Sequence, residues 1–132
     1  MSGGAPASVH DLVGGEAFFA QLVDHFYAGV EGDPALLPLY PEQPDLAPAR
    51  CRLTLFLVQY WGGPGTYSEE RGHPRLRMRH APFRVRTLER DRWLVHMRAA
   101  VDEVGSALSA ELREQLHAYF TMAADAIRNT PD

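Results

Sequence analysis

The chain has 132 residues, of which 45% are hydrophobic and 23% charged, with a formal net charge of -4. That length and apolar content suit one globular domain with its own core and exclude two independent ones. The acidic balance argues against a broad footprint on nucleic acid, and no apolar run reaches the length of a membrane span. A single cysteine, Cys51, rules out an internal disulfide and a thiolate metal cluster.

Residues 1–8 are expected to form a flexible Gly/Ala/Ser-rich leader and residues 9–132 the domain. No secretory pattern opens the chain, so a cytoplasmic location is expected. His10 lies in a first short helix. From Glu16 to Val30, apolar residues Phe18, Phe19, Leu22, Val23, Phe26, Tyr27 and Val30 recur at spacings of three and four, which predicts an amphipathic helix ending near Gly32. Asp33-Pro34 then offers a capping residue with proline in the first turn of a short segment running toward Tyr40.

A second strong helix is expected from Pro48 to Trp61, with Ala49, Leu53, Phe56, Leu57, Tyr60 and Trp61 on one face, stopped by Gly62-Gly63-Pro64. The stretch that follows has a composition that ordinary helix packing does not account for, and it reads as one long irregular connection. Within it, His73-Pro74 can open a short helix that Pro82 must close near His80. Thr87 is expected to cap the next helix, whose buried face is Trp93, Met97, Ala100, Val101 and Val104, with Gly105 as its stop. The last helix begins near Ser109 and buries Leu112, Leu116, Tyr119, Phe120, Ala123 and Ile127. No segment alternates as a strand does, so the fold class is all-α.

All thirteen basic residues are arginine. Arg71, Arg75, Arg77, Arg79, Arg84, Arg86, Arg90 and Arg92 fall in a stretch whose only acids are Glu89 and Asp91, so this segment is expected to meet an anion. Of the six histidines, His25, His96 and His117 sit among charged neighbours on long helices and read as structural, while His73 either caps a helix or touches a ligand. His80 is placed more deliberately, between Pro74 and Pro82 with Leu76, Met78 and Phe83 around it. A neutral imidazole is the commonest metal ligand, and one axial histidine is what haem iron needs when its other face stays open. On residues alone, a histidine at a helix end is otherwise a capping or surface residue. Tyr27, Tyr40 and Trp93 are polar-tipped aromatics on three elements. Singly, each reads as core with its tip bonded to backbone; together they are placed to aim donors at an iron-bound ligand. Gly62-Gly63-Pro64-Gly65 lacks the Lys-Ser/Thr ending of a phosphate-binding loop.

Phe26-Tyr27, Tyr40-Pro41-Glu42, Tyr60-Trp61-Gly62-Gly63-Pro64, Thr66-Tyr67-Ser68 and the run from Arg71-Gly72-His73-Pro74 through His80-Ala81-Pro82-Phe83 together resemble the bacterial group II truncated haemoglobins. The resemblance spans about Val9 to Pro131. It implies a truncated globin, a two-over-two helical sandwich around haem b, in which helices near 16–31 and 48–61 pack on those near 88–104 and 109–128. It implies His80 as the iron ligand and Tyr27, Tyr40 and Trp93 as distal hydrogen-bonding residues. Phe26, Ala49, Leu53 and Phe56 are implied as pocket lining, Arg52, Tyr67 and Arg79 as propionate neighbours, and His73, Met78, Phe83 and Met97 as further haem contacts. Ala49 stands at the gate position where many globins carry a distal histidine. The connection through Gln43, Pro44 and Asp45 looks about one residue longer than is usual in the family, and Gly65 replaces a residue that is often larger.

The expected function is binding of dioxygen, nitric oxide or carbon monoxide at a five-coordinate iron, with slow dioxygen release. Three functional readings stand beside one another: oxygen binding or transport, enzymatic chemistry on nitric oxide or peroxide served by a separate reductase, and a haem-free helical interaction domain. Nucleic-acid binding and membrane insertion are not expected, and homo-oligomerisation is left open.

Overall fold

The structure, a computed structural model, describes residues 8–40, 43, 45–72 and 84–130. Among them lie α1 (Val9–Val13), α2 (Glu16–Glu31), a 3-10 turn (Leu37–Leu39), α3 (Ala47–Tyr60), α4 (Thr66–Arg71), α5 (Thr87–Val104) and α6 (Ala110–Ile127), and no strand. No helix of the described residues is long and apolar enough to cross a membrane. The short helix expected between His73 and Pro82 lies outside the described residues.

In α2 every apolar residue expected on the inner face is buried, from Phe18 to Val30. That stripe packs against α3 on one side and crosses α5 on the other, and α5 in turn pairs with α6. Two helix pairs, α2/α3 and α5/α6, are thus laid one over the other. Phe19, Leu22, Phe26, Met97, Leu116 and Phe120 are enclosed between them, and full burial of such a side chain is worth about 1.5–3 kcal/mol. The far end of α3 meets α6 through Tyr60 and Trp61, whose rings lie 4.1 and 5.3 Å from that of Tyr119. Tyr60 itself, expected on the buried face, is 49% exposed, because its ring lies over Tyr119 at the edge of the interface.

Ser109 caps α6 as expected, accepting the Leu112 N–H at 3.2 Å, although Leu112, Ala123 and Ile127 are only partly buried. The start of α5 differs from expectation. Its cap position is Arg86, one residue before Thr87, because the buried Glu89 carboxylate reaches back to accept the Arg86 backbone N–H at 2.9 Å and its guanidinium at 2.9 and 2.8 Å.

The connection after α3 is also more regular than the sequence suggested. Gly62 adopts φ 106° and closes α3 in a Schellman turn, with the Gly63 N–H donating to Val58 O at 2.8 Å and the Gly62 N–H to Gln59 O at 3.2 Å. A Cβ on Gly62 would meet Ser8 Cβ at 2.5 Å, and one on Gly63 would meet His10 Cδ2 and Val58 Cγ1 at 2.7 Å. The turn is therefore the seat of α1, fastened by the His10 N–H to Trp61 O at 2.9 Å. Helix capping and close packing do explain this glycine pair. Beyond it, α4 occupies part of the expected irregular stretch, tied to α3 by Gln59, which donates to Ser68 Oγ at 2.8 Å and accepts the Ser68 N–H at 2.9 Å.

Candidate functional site

Tyr27 on α2 and Tyr40, just past the 3-10 turn, converge at the end of the α2/α3 pair. Their rings stand edge to face with centroids 5.5 Å apart. Tyr27 is 4% exposed. Burial raises the Tyr40 phenol well above its ordinary value, and the neighbouring Tyr27 and the hydrogen bond between the two side chains add to the rise. The Tyr40 hydroxyl thus keeps its proton at any physiological pH and can donate it in a hydrogen bond. Arg50 closes the other side of Tyr27, its guanidinium 5.9 Å from the ring centre and paired with Glu31 at 2.9 Å.

Trp93 on α5 enters through a different neighbour. Its ring lies 5.2 Å from Phe26 and 6.0 Å from Phe120, and Phe26 in turn lies 5.0 Å from Tyr27. Phe26 therefore links the tryptophan to the tyrosine pair, and no ring contact joins Trp93 to either tyrosine directly.

One wall of this region is the stripe Ala49, Leu53 and Phe56 on α3. Ala49 and Phe56 are buried while Leu53, between them on the same face, is only partly so. The stripe therefore presents apolar surface that protein does not fully cover. Tyr67 on α4 is buried with its ring 5.6 Å from Phe56, and Met97 on α5 is fully buried. Arg52 is half-buried beside Leu53. Ala49, Phe56 and Tyr27 share one core cluster against which Leu53, Tyr40 and Trp93 pack, and this mixture of apolar surface with polar-tipped aromatics fits a flat, largely apolar cofactor. His73, Met78, Arg79, His80 and Phe83, the remaining expected site residues, lie outside the described residues.

The expected role of the arginine-rich stretch needs correction where it is described. Arg86 is bonded to Glu89, Arg90 to Asp91 at 2.8 Å and to Asp125, and Arg92 to Asp33 at 2.9 Å. Three arginines assigned to an outside anion find carboxylates of the protein itself, two of them on distant elements that sequence proximity did not reveal. His96 and His117 are structural as expected, bonded to Asp33 and Asp102 at 2.7 and 2.8 Å. Cys51 is exposed.

Two residues at the site escaped sequence reasoning. Arg50 was visible only as a charge near a helix start, and its position over Tyr27 is a tertiary fact. Asp33 was read as a capping residue; its Oδ1 does accept the Ala35 N–H at 2.9 Å, but the side chain is 2% exposed and its other oxygen is held by α5. The Asp-Pro dipeptide signalled the turn but not the partners.

Comparison with known proteins bears directly on this arrangement. Residues 8–129 match the family model described as bacterial-like globin. The chain is 44% identical over 110 residues to the group 2 truncated hemoglobin YjbI of Bacillus subtilis (strain 168), covering 83% of this chain and 80% of that one. Among solved structures, it superposes on a thermostable hemoglobin from the actinobacterium Thermobifida fusca with a TM-score of 0.90 at 58% identity, covering 96% of this chain and 100% of that one. It superposes on a truncated oxygen-avid haemoglobin from Bacillus subtilis with a TM-score of 0.84 at 40% identity, covering 93% and 100%. With the paired helix layers, these matches establish that the chain belongs to the bacterial-like globin family as a group II truncated haemoglobin, a protein that binds gaseous ligands such as dioxygen at haem.

Proposed function

We propose that the chain carries haem b against the Ala49–Leu53–Phe56 wall, with His80 as the proximal ligand, and holds dioxygen tightly through donors from Tyr27, Tyr40 and Trp93. The haem, when bound, supplies a ferrous centre that takes up dioxygen, nitric oxide or carbon monoxide and shifts negative charge onto dioxygen. The observation that carries this reading is the edge-to-face pair of phenols formed by the buried Tyr27 and the partly buried Tyr40, whose proton is held firmly, in otherwise apolar surroundings. A hydrogen bond to a charged acceptor is worth about 1.5–3 kcal/mol, so each donor lost is expected to speed dioxygen release by about ten-fold or more. The word oxygen-avid, applied to the Bacillus subtilis relative, supports the same reading.

Slow release suits chemistry on the bound ligand better than delivery. The reading therefore extends to conversion of nitric oxide and dioxygen, with one electron from a separate reductase, to nitrate. Arg52, Tyr67 and Arg79 are assigned to the propionate edge, and His73, Met78, Phe83 and Met97 to haem packing. Stopped-flow measurement of dioxygen dissociation tests the proposal. Tyr27→Phe and Trp93→Phe are each expected to raise the off-rate at least several-fold; rates equal to the parent protein in both variants sink the donor assignment.

A further inference from the structure

Asp33 is a buried carboxylate that the proposed distal chemistry leaves unused. It is 2% exposed, and Oδ2 alone receives Arg92 Nε at 2.9 Å and His96 Nε2 at 2.7 Å. Burial opposes its charge, but the bonds from His96, the Ala35 N–H and Arg92 outweigh it and hold its pKa below the usual value, so it is an anion at neutral pH.

Its position matters more than its charge. The Asp33 carbonyl accepts the Leu37 N–H at 3.0 Å, and the Leu37 carbonyl accepts the Tyr40 N–H at 3.1 Å. A continuous run of hydrogen bonds therefore links Asp33 to the backbone of Tyr40. On α5 the two donors flank Trp93, one residue before it and three after. On α2, Tyr27 lies less than two turns before Asp33. One carboxylate thus ties together the three elements that carry the distal donors. The crossing is close: a Cβ on Gly29 would lie 2.4 Å from His96 Nδ1, so the imidazole reaches Asp33 only because residue 29 has no side chain.

We propose that Asp33 is a positioning residue for the distal site, clamped to α5 by His96 and Arg92 so that the Tyr40 hydroxyl is held against Tyr27. This rests on the assignment of Tyr40 as a distal donor, and the experiment separates the two. In the haem-loaded protein, Asp33→Asn keeps an oxygen for Ala35 but replaces the anion shared by Arg92 and His96 with an amide. The ring signal of Tyr40, assigned in 13C-tyrosine NMR spectra by its loss in Tyr40→Phe, is expected to shift in Asp33→Asn. The C–O stretch of bound carbon monoxide should shift too, and dioxygen dissociation should accelerate three- to ten-fold. In a Tyr40→Phe background the same substitution should change the off-rate less than two-fold.

An unmoved Tyr40 signal with an unmoved C–O stretch overturns the proposal, as does an equal acceleration with and without the Tyr40 hydroxyl. If Tyr40→Phe alone leaves the off-rate unchanged, the donor assignment fails, while the NMR shift still decides whether Asp33 places the ring. Should Asp33→Asn not fold, His96→Asn removes one of the two α5 donors and is read in the same way.

Discussion

Glu89 and Asp33 show what single buried charges do for this chain. The bonds from Arg86 lower the Glu89 pKa against the opposing effect of burial, and burial of Asp33 is outweighed by His96, the Ala35 N–H and Arg92. Both carboxyls are thus held below their unfolded-state values, so the stabilisation they give is complete above a pH of about 5 and is lost as the pH falls through the unfolded-state values to the lower folded-state ones. Glu89→Gln is expected to cost about 1–3 kcal/mol at pH 7, since it strips the charge from three hydrogen bonds. Its penalty should shrink as the pH falls below the unfolded-state value toward the lower folded-state one, because the parent then loses the stabilisation its charge gives. Denaturant titrations of both proteins from pH 7 down to pH 3 check this, and a penalty that does not depend on pH would contradict it.

At the scale of elements, the crossing of α2 and α5 depends on Gly29. An alanine there puts its Cβ 2.4 and 3.0 Å from His96 Nδ1 and Cγ, atoms of a rigid ring that is also bound to Asp33. Gly29→Ala is expected to destabilise by about 1–3 kcal/mol, as overpacking does elsewhere, although alanine is the better helix former. Thermal unfolding checks the sign, and an increase in the midpoint would contradict the packing argument. The long helices were legible in the sequence because apolar periodicity and caps such as Ser109 are local signals. α4 was not legible, since Thr66-Tyr67-Ser68-Glu69-Glu70-Arg71 has no apolar period and the segment is secured by Gln59 from another helix. The partners of Arg90 and Arg92 were hidden for the same reason, and so was the docking of α1 on Gly62 and Gly63. Tyr27, Tyr40 and Trp93 could be grouped from the residues as polar-tipped aromatics on three elements, and family resemblance then singled them out over the core reading. The route by which they meet, with Phe26 between Trp93 and Tyr27, required coordinates.

Over the described residues, two helix layers enclose one core, and Tyr27, Tyr40 and Trp93 sit where α2, the turn after it and α5 come together. Each layer joins helices that follow one another, the α2/α5 crossing joins the layers over a longer stretch of sequence, and the seat of α1 joins residue 10 to residue 61. The Schellman turn at Gly62 needs only its own helix, but the seat of α1 is complete only once α3 has formed and ended, since the stacking of His10 on Phe19 of α2 is a single contact. Closing so long a loop carries an entropic cost that a five-residue helix repays only once the rest is in place. α1 should therefore be absent from the folding transition state. His10→Ala, which removes the ring stacked 6.2 Å from Phe19, is expected to leave the refolding rate within about two-fold and to place nearly all its effect in faster unfolding. Chevron plots measure both limbs, and slower refolding by the full stability loss would refute this order of assembly. The glycine pair after α3 thus makes α1, although it precedes every other described helix, the element expected to fold last and to come loose first.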